Sequence, residues 1–252
     1  GFFSSSFKGA GLQFKEHQIY NYGDEVRFID WKLLAKKSTP YIKTFEEERN
    51  INVKIIIDCH SNFILSHNGK SKFVNILEMC ATLIVFAGKT KDQVSCYFIG
   101  EKPVIITDLS GENGLVKLIS TLSKLEIVQE DGKPNLNTFS NFCCDNFEKK
   151  NFRLLGELSK GPFIIFSLFR NDRYDYFKKI FGKKNTHFFE LKCPFERDES
   201  EFKFTVPCMR YLNKLHDIEN AEKNNKIVNS IYLDKSPLVG FVEGIMSNET
   251  RV

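Results

Sequence analysis

The segment Val53–Ile57 constrains the fold most strongly, because four of its five residues are β-branched and apolar and it is followed by an acidic residue, Asp58. Such a run is typical of a strand that is buried on both faces of a sheet. Other apolar segments of strand length alternate along the chain with segments whose apolar residues recur at helical spacing. This alternation predicts an α/β fold, with a mostly parallel sheet and helices on both of its faces.

The same patterns predict the order of the elements. Further strands are predicted at residues 94–99, 104–106, 163–168, 186–191 and 227–233, with a short excursion at 202–206. Gly100-Glu-Lys-Pro103 joins the first two of these strands and predicts a hairpin. Helices are predicted at residues 71–88, 114–125, 138–158, 173–181 and 209–224, and a last helix is predicted to begin at Pro237. Residues 1–50 form an N-terminal arm, with a short helix from Asp30 to Lys37, in which Asp30 lies near the N-cap, and a strand from Tyr41 to Phe45. We therefore divide the chain into this arm and one α/β domain, residues 51–252.

Charge and hydropathy argue against two classes of partner. The formal net charge of the 252-residue chain is +4, and its lysines are spread along the whole sequence. Nucleic-acid binding would require a clustered basic face, so we expect no nucleic-acid partner. The longest apolar stretch, Met79–Ala87, is far shorter than the roughly 20 residues that span a bilayer. The sequence begins at Gly1, and we expect membrane association only through residues that would precede it.

The cysteines favour a reducing compartment. There are seven, an odd number, and no Cys-x-x-Cys motif occurs, which is unlike a disulfide framework. We therefore expect a cytoplasmic protein. The vicinal pair Cys143-Cys144 has two interpretations, redox activity or ordinary packing, and we favour packing.

Asp58 is the first candidate site residue, because ligands of open α/β sheets bind beyond the carboxyl ends of the strands. His60, Ser61 and Asn62 follow it in the next loop. A phosphatase of the haloacid-dehalogenase kind would need Asp-x-Asp here, and the second position is His60. The sequence also lacks a P-loop and the Gly-x-Ser-x-Gly motif of serine hydrolases. A metal-dependent hydrolase or phosphotransferase that uses Asp58 and His60 is therefore the alternative, and not the first hypothesis.

The arm and the first strand carry a dense signature. It consists of Phe7-Lys-Gly-Ala-Gly11, Phe14-Lys-Glu16, Tyr20-Asn-Tyr-Gly-Asp24, Arg27-Phe-Ile-Asp-Trp31, Ala35 and Phe45-Glu-Glu-Glu-Arg49. These residues resemble the signature of a bacterial family called domain of unknown function fifty-eight. Beyond residues 7–58, Phe166-Ser-Leu-Phe169 and Pro194-Phe-Glu196 also fit the family. The resemblance implies a von Willebrand factor A-like fold, which is Rossmann-like.

The resemblance also implies a function. Members of the family are often encoded beside MoxR-type AAA+ ATPases, and no enzymatic reaction is established for them. It therefore implies a non-enzymatic protein-interaction adaptor, whose partner is a MoxR-type AAA+ ATPase or the client protein of that ATPase.

A von Willebrand A-like fold brings the expectation of a metal-ion-dependent adhesion site, with the pattern Asp-x-Ser-x-Ser, a later Thr and a later Asp. In this chain the pattern becomes Asp58-Cys59-His60-Ser61-Asn62, with Thr138 as the Thr and Leu168 in place of the later Asp. The site is therefore degenerate, since only Asp58, Asn62 and Thr138 remain as side-chain oxygen ligands.

We expect no cofactor at this degenerate site. Mg²⁺ is the weak alternative, because it prefers near-octahedral oxygen ligands and few remain. A zinc site built from Asp58, His60 and His67 would lack a fourth ligand at familiar spacing. We expect Asp58 to accept hydrogen bonds from backbone N–H groups of its own loop instead.

The signature residues of the arm have two interpretations. Gly23 and Asp24 mark a turn, and Asp24, Arg27, Asp30 and Trp31 form a mixed-charge set beside the single tryptophan. They would form either a docking surface or a buried clasp, in which Arg27 binds a carboxylate and Trp31 pins the arm to the core. We favour the clasp, because a mixed pair of charges beside a buried aromatic usually fixes a conformation.

Overall fold

The computed structural model describes residues 12–37, 39–47, 51–129, 132–145, 152–158, 161–169, 171–182, 185–196 and 228–247. The chain divides into two compact units, Gly1–Ile51 and Asn52–Val252, and each is considered by itself. The excursion expected at 202–206, the helix expected at 209–224 and the signature residues 7–11 lie outside the described residues.

The first unit contains a β-hairpin. Strand β1, Leu12–Ile19, pairs with strand β2, Tyr41–Glu47, in antiparallel register, and a bulge interrupts the pairing between Phe14 and Glu16. Between the two strands lie a 3-10 turn, Val26–Phe28, and helix α1, Trp31–Lys37. The predictions of β2 and α1 are confirmed. Strand β1 was not predicted, because its few apolar residues give it no strong period of its own and its pairing with β2 defines it.

The second unit is built on a six-stranded sheet. Its strands are β3 (Asn52–Asp58), β6 (Gln93–Ile99), β7 (Val104–Leu109), β8 (Phe163–Phe166), β9 (Thr186–Lys192) and β10 (Val228–Tyr232). The short strands β4 (Ser66–His67) and β5 (Lys70–Ser71) form a separate hairpin. The order in the sheet is β10-β9-β8-β3-β6-β7, with β7 antiparallel to β6 and the other pairs parallel.

This order is that of a doubly wound sheet. When the six strands of this sheet are numbered 1 to 6 in chain order, starting with β3 and leaving out β4 and β5, their order across the sheet is 6-5-4-1-2-3. This is the Rossmann order 3-2-1-4-5-6 read from the other edge. The winding direction reverses between β3 and β8, and this is the switch point where such sheets bind ligands. The predicted mostly parallel α/β fold is therefore confirmed, including the antiparallel hairpin of β6 and β7.

Helices cover the sheet on both faces. They are α2 (Lys72–Thr90), α3 (Gly111–Lys124), α4 (Leu136–Phe142), α5 (Arg153–Gly156), α6 (Asn171–Phe181) and α7 (Pro237–Ser247). The predictions of α2, α3, α6 and α7 are confirmed. The single helix predicted at 138–158 is wrong, because α4 ends at Phe142 and Cys143 has extended backbone angles. The backbone groups that follow bind other elements: the Cys144 N–H donates to the carbonyl of Cys59.

Aromatic residues fill both interfaces between sheet and helices. On one face, Phe163 packs against Phe181 of α6, with 4.8 Å between ring centroids. On the other face, Phe166 lies 5.7 Å from Phe241 of α7, and Phe98 lies 6.3 Å from Phe73 of α2. The described cysteines, which are residues 59, 80, 96, 143, 144 and 193, are free thiols and are buried among these layers. Cys143 and Cys144 thus pack as reduced residues.

Candidate functional site

The carboxyl ends of β3, β8 and β9 lie side by side, because these strands are parallel neighbours in the sheet. We call this rim the carboxyl edge. Three chain segments follow the strands there: residues 59–62 after β3, residues 167–169 after β8 and residues 193–196 after β9. The first two flank the switch point, so the edge is the expected place for a site.

Asp58 occupies the switch point, but it is completely buried, with 0% of its surface exposed. Both of its carboxylate oxygens accept hydrogen bonds at 2.5 Å from Nη1 of Arg173, which lies in α6. Ser167, directly after β8, donates its hydroxyl to Oδ2 of Asp58 at 2.5 Å. Nη2 of Arg173 donates to the backbone carbonyls of Cys144 (2.6 Å) and Asp145 (3.0 Å). The ion pair therefore ties two strand ends, α6 and the chain after α4 to one another.

Burial and charge act in opposite directions on Asp58. Burial raises the pKa of the Asp58 carboxyl, whereas Arg173 and then Ser167 favour its ionised form and oppose that rise. The prediction that Asp58 binds backbone N–H groups of its own loop is wrong, because a guanidinium and a hydroxyl from other elements take its oxygens.

A second buried cation lies at the same edge. Lys72, the first residue of α2, has a side chain that is 0% exposed, and its Nζ lies 2.7 Å from Oε2 of Glu196. The same Nζ donates to Oδ1 of Asn62 at 2.6 Å, and Nδ2 of Asn62 donates to Oε1 of Glu196 at 3.4 Å. The Cys193 N–H donates to Oε2 of Glu196. The amide group of Asn62 therefore binds both members of an internal ion pair: its oxygen accepts from Lys72, and its nitrogen donates to Glu196.

The loop after β3 presents a third arrangement, which reaches solvent. Ser61 donates both its N–H (2.8 Å) and its hydroxyl (2.6 Å) to the carboxylate of Asp145, whose side chain is 39% exposed. Nε2 of His60 lies 3.5 Å from Oδ1 of Asp145. Nδ1 of His60 accepts the N–H of Asn62, which caps the 3-10 turn Ser61–Ile64. These contacts fix the loop and leave part of one carboxylate at the surface.

The four residues of the degenerate adhesion site are not brought together as one ligand set. The oxygens of Asp58 and Asn62 bind two different internal cations. Thr138 is half-buried in α4, and it is not among the hydrogen-bond partners given above for Asp58. No group of three or more His, Cys, Asp or Glu side chains in the described part of the chain is arranged to hold a metal ion. The residues present therefore do not fit the Mg²⁺ ion that the adhesion-site pattern implies.

Sequence reasoning found one member of each buried pair and missed the other. Asp58 stood out as a strand end and Glu196 as part of a signature, while Arg173 and Lys72 lie inside segments that only indicated helices. The sequence did point to Ser167, since it lies within the strand-end segment, residues 166–169, that was noted as fitting the family.

The signature residues of the arm form local contacts in the first unit. The N–H of Asn21 donates to Oδ2 of Asp24 at 2.8 Å, and Gly23 has a φ of 111°, which favours glycine in this turn. Arg27 forms its ion pair with Glu25, two residues before it. Arg27 therefore binds a carboxylate as predicted, but the two side chains are 73% and 59% exposed, so this local pair is not the buried clasp that was expected.

Trp31 is the other residue of the predicted clasp. Its side chain is largely outside any core, with 61% of the residue exposed. Position 31 is the first residue of α1, and the carboxylate before it, Asp30, caps the helix by accepting the N–H groups of Lys32 (3.1 Å) and Leu33 (3.0 Å). The cap that was predicted at Asp30 is therefore confirmed, whereas the expected burial of Trp31 is wrong.

Asp30 is expected to titrate at unusually low pH. A hydrogen bond from His17, then the N–H of Leu33 and the nearby Lys43 lower its pKa from 3.8 to about 2. Because the folded pKa is depressed, the stabilisation by this carboxylate is complete above about pH 4 and is lost as the pH falls through about 2. NMR titration of the Asp30 carboxyl carbon measures this midpoint. In His17→Ala the midpoint should move towards 3.8, and in the control His67→Ala it should not. A wild-type midpoint near 3.8 would contradict the prediction.

One described helix, α2, is long and apolar enough to cross a membrane by length and composition alone. Its buried side chains, which include Phe73, Ile76 and Ile84, belong to the core of the second unit. Packing against the sheet therefore accounts for its apolar character, and α2 is only weak evidence for a membrane span.

Comparison with solved structures gives likenesses of low identity. A structure described as an aerotolerance-related membrane protein from Bacteroides fragilis, with multiple mutations to serines, is 12% identical, with a TM-score of 0.43 over 80% of this chain and 100% of that one. The conserved hypothetical protein BatB from Bacteroides thetaiotaomicron is 10% identical, with a TM-score of 0.41 over 80% and 100%. The von Willebrand A domain of SpRpn10 is 12% identical, with a TM-score of 0.36 over 77% and 94%. We transfer no function from likenesses of this size.

Comparison with curated proteins finds no match. A family model does match, over residues 16–153, which is more than half of the chain. This range includes most of the arm signature, the central strand β3 and the loop that follows Asp58. The chain therefore belongs to the family described as protein of unknown function DUF58, and its second unit has a doubly wound, mostly parallel α/β fold.

Proposed function

We propose that this chain is a non-enzymatic protein-interaction adaptor that works in the cytoplasm with a MoxR-type AAA+ ATPase or with the client protein of that ATPase. The burial and the hydrogen bonds of Asp58 are the observations that support the proposal. This carboxylate lies at the switch point of the sheet, where an enzyme of this fold would place a reactive group. It is 0% exposed and is bound by Arg173 and Ser167. A carboxylate held in this way supports the sheet edge and cannot reach a substrate.

The contacts of His60 also favour binding over catalysis. A hydrolase or phosphotransferase would need Asp58 and His60 to act on one substrate. Nδ1 of His60 instead accepts the Asn62 N–H, and Nε2 faces Asp145. The carboxyl edge then offers a partner a hydrogen-bonded loop surface, and among its described residues Ser61 and the partly exposed Asp145 are accessible polar groups.

A binding experiment with matched charge reversals tests the adaptor role. The purified chain is applied to an immobilised MoxR-type ATPase, as wild type, Asp145→Lys and Glu112→Lys. Asp145 lies at the carboxyl edge, whereas Glu112 is exposed on α3, which follows the end of β7 at the opposite edge. We expect Asp145→Lys to lose binding and Glu112→Lys to keep it, with both variants folded by circular dichroism. Equal binding by both would remove the carboxyl edge from the proposal, and no binding by the wild type would overturn the ATPase partnership.

A turnover assay separates the adaptor from the enzyme. Phosphatase and nuclease substrates are tested with Mg²⁺, Mn²⁺ and Zn²⁺, and we expect no turnover above the protein-free rate. Metal-dependent turnover that disappears in both Asp58→Asn and His60→Ala would overturn the proposal in favour of the hydrolase or phosphotransferase.

A further inference from the structure

The von Willebrand A-like fold implies a divalent cation at the carboxyl edge, and the oxygens that converge there in this chain already have a cation. They are the two carboxylate oxygens of Asp58 and the backbone carbonyls of Cys144 and Asp145, at 2.5–3.0 Å from the guanidinium nitrogens of Arg173. A carboxylate and backbone carbonyls are the kinds of ligand that Mg²⁺ and Ca²⁺ prefer. The guanidinium of Arg173 therefore occupies the space between four oxygens that would suit a hard metal cation.

The guanidinium and a metal ion cannot share this place. Arg173 is only 4% exposed, so its side chain has no open surface into which it could swing without leaving the core. The next oxygen of the adhesion pattern, that of Asn62, is taken by Lys72 at 2.6 Å. Arg173 supplies one positive charge in a fixed planar geometry.

We infer that Arg173 is the resident cation of the Asp58 site and takes the place of the divalent ion, so that the chain binds no divalent metal there. The carboxyl edge is then assembled by folding alone, and its geometry is the same in the presence and in the absence of metal.

Titration with Mn²⁺, followed by electron paramagnetic resonance, tests the inference. Three chains are compared: wild type, Arg173→Ala and Arg153→Ala, the last changing an exposed arginine at the start of α5. The wild type and Arg153→Ala should bind no Mn²⁺. Arg173→Ala opens a cavity lined by the four oxygens named above, and it should bind about one ion per chain with a rise in melting temperature. Adding Asp58→Asn to Arg173→Ala should abolish that binding.

Two results would overturn the inference. One is Mn²⁺ binding by the wild type that is lost in Asp58→Asn, because the metal would then coexist with Arg173. The other is a folded Arg173→Ala that shows no metal response, because Arg173 would then not occupy a cation's place. If Arg173→Ala does not fold, Arg173→Gln removes the charge and keeps most of the stem, and the same two outcomes decide. The wild-type titration is independent of the folding of any variant.

Discussion

Asp58→Ala is expected to lower the free energy of unfolding by about 3–5 kcal/mol, the cost of breaking a buried ion pair by removing one partner. The guanidinium of Arg173 would remain buried, with a side-chain exposure of 5%, and it would keep only the carbonyls of Cys144 and Asp145 as acceptors. Urea denaturation followed by far-UV circular dichroism measures the change. Tryptophan fluorescence would not do so, because the single tryptophan, Trp31, belongs to the other compact unit.

A second substitution distinguishes the lost pair from a general defect at this position. Arg173→Met removes the stranded charge, so the double variant Asp58→Ala/Arg173→Met should regain much of the stability that Asp58→Ala loses. Asp175→Ala, an exposed carboxylate on the same helix α6, should change stability by no more than about 0.5 kcal/mol. Strictly additive losses in the double variant would show that Asp58 and Arg173 do not act as a pair.

The sheet could be predicted from the sequence because its signal is local. A strand buried on both faces shows its apolar residues consecutively, as Ile55–Ile57 does, and helices of a dozen residues separate such runs. The position of Asp58 at the carboxyl edge followed directly. What Asp58 binds did not follow, because Arg173 lies 115 residues further along the chain and is brought near by the fold alone.

The errors have a common physical cause. The residues at 138–158 have helical spacing, but beyond Phe142 the backbone takes partners from other elements: the Cys144 N–H binds Cys59, and the Cys144 carbonyl accepts from Arg173. In the arm, the ion pair of Arg27 with Glu25 is local, whereas the expected clasp required a tertiary contact. Local patterns predict elements, and tertiary hydrogen bonds decide where they end.

Lys72→Met is expected to lower the free energy of unfolding by about 3 kcal/mol, because it leaves the carboxylate of Glu196 largely buried without its cation. The side chain of Glu196 is 8% exposed, and it would retain the N–H of Cys193 and the amide of Asn62 as donors. Methionine has nearly the length of lysine, so the substitution removes the charge and opens little space. Urea denaturation measures the change under the conditions used for Asp58→Ala.

Lys70→Met is the matched control, since it removes a lysine only two positions away that also pairs with a glutamate. Nζ of Lys70 lies 2.6 Å from Oε1 of Glu78, which is as short as the contacts of Lys72, but the two side chains are 57% and 50% exposed. Water replaces the lost partner there, so we expect a loss of at most about 1 kcal/mol. The difference in stability loss between Lys72→Met and Lys70→Met then follows from the burial of the ion pairs, since their distances are similar. If both lose the same stability, the pair of Lys72 with Glu196 is no stronger than a surface ion pair.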